Sequence, residues 1–168
     1  GTRLAVIIVS NTSPISNLAK VGQLCLMQQI YGRVLVPCAV HEELLDERAG
    51  ETVITAVQSA TWIEIHSVQN RELVDELRTR VNIGEAEAIA LAVEVEAKRL
   101  LIDERLGRQA ATNLGLKITG VLGILLLAKH HKLITAIKPI MDSLVTQANF
   151  RISSQLYADV LDAADEKV

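Results

Sequence analysis

Leu4-Ala5-Val6-Ile7-Ile8-Val9 runs without a charge into Ser10-Asn11-Thr12-Ser13-Pro14. An uninterrupted apolar run rich in β-branched residues reads as a strand buried on both faces of a parallel sheet. Ligands of open α/β sheets bind outside the carboxyl ends of the strands. The short polar side chains of Ser10, Asn11, Thr12 and Ser13 are therefore delivered to an edge where ligands bind.

Working outward, short β-branched runs alternate with longer helical stretches, the pattern of a parallel sheet covered on both faces. The strands expected are Ala5–Val9, Arg33–Val36, Ile63–His66, Arg99–Ile102 and Lys117–Thr119. Pro14 is expected to open the first helix over Ile15–Ala19, and the second covers Leu24–Ile30 until Gly32 ends it. Further helices are expected over Ala39–Arg48, Glu51–Ala60, Leu73–Leu77 behind an Asn70 cap, and Glu85–Glu96 after Gly84. Asp103 is placed to cap Arg105–Leu114, and three helices close the chain over Val121–Lys129, Ile137–Gln147 and Gln155–Asp165.

Composition bounds the function. At 168 residues the chain is expected to form one domain over 1–168, with 1–3 a vector remnant or disordered start and 137–168 its C-terminal helices. With 17 Lys+Arg against 20 Asp+Glu, the net charge of -3 argues against a polyanion binder that works by bulk charge. Aromatic residues make up only 2%, so platforms for stacking unpaired bases are few and a nucleic acid would be held by its backbone. Cys25 and Cys38 lack metal-type spacing and read as core residues of a cytoplasmic protein. The apolar run Val121–Ala128 falls short of the roughly 20 residues that a membrane span requires.

Three acids stand out. In Val40-His41-Glu42-Glu43-Leu44-Leu45, Glu43 sits at the border between the inward Val40 and Leu44 and solvent, and either reaches a crevice or belongs with Glu42, Asp46 and Glu47 to a solvated acidic face. Glu85 opens the otherwise small and apolar Gly84-Glu85-Ala86-Glu87-Ala88-Ile89-Ala90-Leu91-Ala92, where it serves either the helix N-terminus or a site; Glu87 reads as structural. Asp103 ends Leu100-Leu101-Ile102 and is either a helix cap or a site residue, while its neighbour Glu104 reads as solvent-facing. A parallel sheet brings Glu43, Glu85 and Asp103 to one end, with Asn11 and Ser13 in the middle. Crowded carboxylates favour a cation, and hard oxygen donors select Mg²⁺ or Mn²⁺. Arg105, Arg108 and the Lys129-His130-His131-Lys132 cluster are candidates for phosphate contacts, though the cluster reads first as complementing a helix C-terminus.

These residues resemble the PIN domains, small α/β metal-dependent ribonucleases that include many toxins of toxin–antitoxin pairs. The likeness lies in Val9–Pro14, Glu43-Leu44, GEAEAIALA at 84–92, LIDERLGR at 101–108 and TGVLGILLLAK at 119–129, in that order. It implies a three-layer α/β/α fold with a five-stranded parallel sheet of order 3-2-1-4-5 and RNA as substrate. It also implies a Mg²⁺ or Mn²⁺ site formed by Asn11, Glu43, Glu85 and Asp103, with Ser13 orienting water or capping its helix, and a homodimer with an antitoxin partner. One position departs from the pattern: the family's first acid is Asn11 here, whose carbonyl oxygen can ligate a metal but brings no charge. A catalytically weakened or inactive scaffold that binds proteins is therefore the alternative. A nucleotide-binding or receiver-type protein lacks the glycine-rich loop it would need after the first strand.

Overall fold

The computed structural model describes residues 6–167. Five parallel strands, β1 (Ile8–Ser10), β2 (Val34–Pro37), β3 (Ile63–His66), β4 (Arg99–Leu101) and β5 (Ile118–Thr119), form one sheet in the order β3-β2-β1-β4-β5. This is the 3-2-1-4-5 order that the family likeness implies. Ala5, the start of the first expected strand, lies outside the described residues. Val9 registers with Leu35 on one side and Leu100 on the other, so β1 occupies the centre of the sheet, buried on both faces.

Ten α-helices flank the sheet among the described residues. Helix α1 (Thr12–Lys20) follows β1 directly; α2 (Cys25–Tyr31) leads into β2, and α3 (Cys38–Leu45) leaves it. A single 3₁₀ turn over Glu47–Ala49 separates α3 from α4 (Glu51–Ser59). Helices α5 (Arg71–Leu77) and α6 (Ile83–Glu94) precede β4, and α7 (Arg105–Asn113) lies between β4 and β5. Helices α8 (Val121–His130), α9 (Lys138–Gln147) and α10 (Ser154–Ala163) complete the chain.

Several expected boundaries move. Helix α1 starts at Thr12, so Pro14 is its third residue; the first-turn donors have no intrahelical acceptor, and the missing N–H costs nothing there. Helix α3 stops at Leu45 because Asp46 turns to extended backbone and takes the backbone N–H and the guanidinium of Arg48. Helix α6 stops at Glu94, and Glu96 closes it from the left-handed region at φ 52°. Cys25 is exposed and Cys38 half-buried, so neither is the core residue expected; α2 starts at Cys25 and turns Leu26 and Met27 inward instead.

Helix α6 organises one face of the sheet. Gly84 through Ala92 are all buried, and the small side chains let the helix approach β1, β2 and β4 as well as α3, α5 and α7. Two glutamates are buried with the alanines. Glu87, 6% exposed, accepts from the backbone N–H of Ala39 at 2.9 Å and from Arg71 Nη1 at 2.8 Å. It thus satisfies the start of α3, the helix that carries Glu43. Removing this acceptor in Glu87→Ala strands the Ala39 N–H and the Arg71 head, and a loss of about 1–3 kcal/mol is expected in urea unfolding.

Candidate functional site

Adjacent strands β1 and β4 end side by side. The backbone N–H of Asn11 extends their ladder to Leu101 O at 2.9 Å, and that of Ile102 reaches Thr119 O at 3.0 Å. Asn11 and Asp103 therefore leave the sheet at the same edge. Asn11 is 2% exposed and stands at the N-cap position of α1, yet its side chain makes no capping bond. Its Nδ2 donates to Glu104 Oε2 at 2.9 Å, and Ser13 Oγ donates to the other oxygen, Glu104 Oε1. Glu104 is thus half-buried within the cluster rather than solvent-facing. It faces two donors at the β1–α1 junction, which its position in the sequence does not reveal.

The remaining acids are held by donors of their own. Thr12 Oγ1 donates to Glu43 Oε2, and a methyl at Gly84 would stand 2.9 Å from that same oxygen, so α6 meets Glu43 through a residue without a side chain. Glu85 closes a capping box with Asn82: the Asn82 Oδ1 accepts from Glu85 N at 2.9 Å, and Glu85 Oε2 accepts from Asn82 N at 3.2 Å. Glu85 therefore serves the helix N-terminus, and the charges of Glu104 and Glu43 also act on it.

Asp103 is not the cap of α7. That position belongs to Glu104, and the Asp103 carboxylate instead accepts from Val121 N at 3.1 and 3.3 Å, capping α8. The reason is Gly120, which precedes α8 and has no side chain to cap it; a Cβ there would stand 2.6 Å from Asp103 Oδ1. Of the basic candidates, Arg108 lies beside this carboxylate, whereas Lys129 is bound to Glu166 at 2.9 Å and ties α8 to the C-terminal segment. The latter ion pair removes Lys129 from the set of candidate phosphate ligands.

Burial, and after it the neighbouring charges, shows in the titration of two of the acids. Burial first, then the charges of Glu104 and Glu43, holds Glu85 above the usual carboxylate range against the donation from Asn82. Asp103 is pushed up to about 6, first by burial and then by Glu104, against the Val121 N–H and Arg108. Glu104 thus lies against Asn11 and Ser13 and its charge reaches both Glu85 and Asp103, while Glu43 bonds Thr12 and its charge reaches Glu85. The donor set is all oxygen and over-supplied with negative charge, which fits a hard divalent cation in chemistry. Among the described residues, however, no three acidic, histidine or cysteine side chains are gathered closely enough to hold an ion. The carboxylates are turned to protein donors instead.

A carboxyl whose folded pKa stands above its unfolded value binds its proton more tightly in the native state. Its contribution to stability is present at low pH and is lost as pH rises through the folded pKa, here about 6. Asp103→Asn keeps an acceptor for Val121 and removes the charge. The metal-free variant is expected to melt a few degrees above the parent at neutral pH, the order set by roughly 2 kcal/mol, with the gap closing near pH 4. Thermal unfolding across that range checks it.

No helix among the described residues is long and apolar enough to cross a membrane. No curated protein matches the chain in sequence. A family model described as DUF3368: PIN domain matches residues 7–166, which takes in every strand and helix described above and all the residues of the acidic edge. PIN domains have a nuclease-type fold, generally depend on divalent metal ions and generally act on RNA. The chain belongs to the PIN-domain family.

Proposed function

We propose that this protein is a divalent-metal-dependent ribonuclease that hydrolyses RNA phosphodiester bonds at the carboxyl edge of β1 and β4. The observation that carries the reading is that the charge of Glu104, which Asn11 holds, reaches both Glu85 and Asp103, and that burial first and this charge second disfavour both as bare anions. Asn11, Glu43, Glu85 and Asp103 would hold a Mg²⁺ or Mn²⁺ ion, which when bound activates a water and neutralises charge on the phosphodiester. Glu104 holds the Asn11 amide and the Ser13 hydroxyl in register. With its nitrogen bound to Glu104, Asn11 has its carbonyl oxygen left as the ligand atom. Arg108 stands one helical turn beyond Glu104, where a guanidinium can meet a phosphate.

The missing charge at position 11 acquires a physical meaning in this arrangement. An aspartate there would oppose Glu104 at hydrogen-bond distance, whereas an amide donates to it. A fourth carboxylate, Glu104 in the loop after β4, stands beside the uncharged Asn11. The finer identity we propose is the toxin of a toxin–antitoxin pair, acting as a cytoplasmic homodimer. Its support is the likeness of its motifs to that branch of the family.

The second reading, a scaffold without catalysis, has its own observation: no three acidic side chains are gathered on one point among the described residues. Cleavage of a single-stranded RNA with Mn²⁺ or Mg²⁺ separates the two. The nuclease reading expects metal-dependent cleavage that is lost in Asp103→Asn and reduced roughly 10- to 100-fold in Glu104→Gln, the usual scale for a residue that orients a ligand. At subsaturating metal the rate should climb with pH towards about 6, where Asp103 ionises, and flatten above it. Metal-dependent cleavage that survives intact in Asp103→Asn would defeat the assignment. Asn11→Asp is expected to lower metal-free stability by about 1–3 kcal/mol, because the Glu104 carboxylate loses a donor and gains a like charge.

A further inference from the structure

Beside the acidic edge lies a cleft of about 840 Å³, within the range that encloses a small organic ligand. Its two ends differ in chemistry. Asp103, Glu104 and Arg108 line the end that joins the carboxylates, while Leu126 and Leu156 contribute an apolar wall from α8 and α10. Phe150 and Arg151 line it from the segment after α9. Phe150 is the only phenylalanine in the chain, and it is half-buried against the core rather than free to swing. Its position is fixed by the backbone: Asn149 adopts φ 54°, and Leu144 O accepts from both Ala148 N and Phe150 N at 3.1 and 3.0 Å. Arg108 and Arg151 form no ion pair among the described residues.

We propose that this cleft is a nucleotide subsite: it seats one unpaired ribonucleotide of the substrate strand, with the base against Phe150 and the flanking phosphates at Arg108 and Arg151. The argument is one of matched amphipathy. An unpaired nucleotide has an apolar face at the base and a charge at the phosphate, and the cleft presents an aromatic ring and aliphatic wall together with two guanidinium groups that form no ion pair among the described residues. The net charge of -3 leaves the rest of the surface without bulk attraction for a polyanion, so local guanidinium groups must supply it. A paired duplex cannot offer a base face to Phe150, so the subsite selects single strands. The inference rests on the ribonuclease reading for its choice of ligand, but its test does not require cleavage.

The measurement is binding of a fluorescein-labelled single-stranded oligoribonucleotide of mixed sequence to the full chain in EDTA, followed by anisotropy. Phe150→Leu is expected to weaken binding about 5- to 100-fold, the scale of losing one base–aromatic stack, whereas Phe150→Tyr retains it. Arg151→Gln is expected to flatten the dependence of log K on log salt by about 0.7, the share of one single-strand phosphate contact. A duplex of the same sequence should bind more weakly and ignore Phe150→Leu. Equal binding by the parent and a folded Phe150→Leu variant overturns the subsite, as does a parent that binds no single strand. Binding that depends on Phe150 without any Mn²⁺-dependent cleavage upholds the subsite and overturns the ribonuclease reading. Cleavage by the parent with binding indifferent to Phe150 does the reverse.

Discussion

Four carboxylates drawn to the edge of one parallel sheet repel one another and lose hydration, and a fold that tolerates them must give each a donor. The donors come from the starts of three helices, α1, α6 and α8. Thr12 at the start of α1 serves Glu43, the Asn82 backbone before α6 serves Glu85, and Val121 at the start of α8 serves Asp103. Asn11 and Ser13 together serve Glu104. The helix starts around this edge are thus fixed by the same contacts that hold the acids. Disturbing one acid disturbs the entry of a helix.

Space is the second half of the constraint. Donors can reach the carboxylates only where backbone comes close, and two of those approaches occur at glycines. Gly84 admits Glu43 Oε2 and Gly120 admits Asp103 Oδ1, at separations that a methyl would close to 2.9 and 2.6 Å. The alanines of α6 extend the same logic to the helix as a whole, which lies flat against the central strands because nothing larger intervenes. Glu87 shows the structural use of a buried acid in the same helix: paired with Arg71 and the start of α3, it is satisfied without help from any ligand. Glu85, two residues earlier, has one backbone donor and two like-charged neighbours. The contrast separates an acid that completes the fold from one whose charge remains poorly compensated.

The sheet was readable in the sequence because parallel strands buried on both faces leave unbroken apolar runs, and the helix stretches followed from punctuation by glycine, proline and asparagine. Strand order followed from the family likeness and not from spacing. The local capping rule misplaced Asp103, since it ranks the nearest helix first, while the cap it supplies lies eighteen residues away across β5, at a glycine that cannot cap itself. Glu104 was missed for a related reason. It sits between the end of β4 and the start of α7, where neither the period of a strand nor that of a helix fixes the direction of a side chain. With Glu104 unplaced, Asn11 registered as an uncharged ligand whose amide nitrogen had no partner. Its amide acquires a role once the acceptor facing it is known.

Composition leaves room for a local site of the kind proposed. A 2% aromatic content and a net charge of -3 describe an average over the surface, but a ligand meets only the residues of its own cleft. Here the single phenylalanine and two arginines without ion pairs among the described residues lie in one depression beside the acids. An acidic edge alone repels a phosphodiester, so a polyanion can approach it only if cations adjoin it or are bound within it. Arg108 satisfies both demands at once, because it lies near enough to Asp103 to ease its ionisation and also lines the cleft through which a strand would enter. The sequence places Arg108 five residues after Asp103, a spacing that α7 converts into adjacency by starting between them. The electrostatics of the acids and of the cleft are therefore coupled through one short helix.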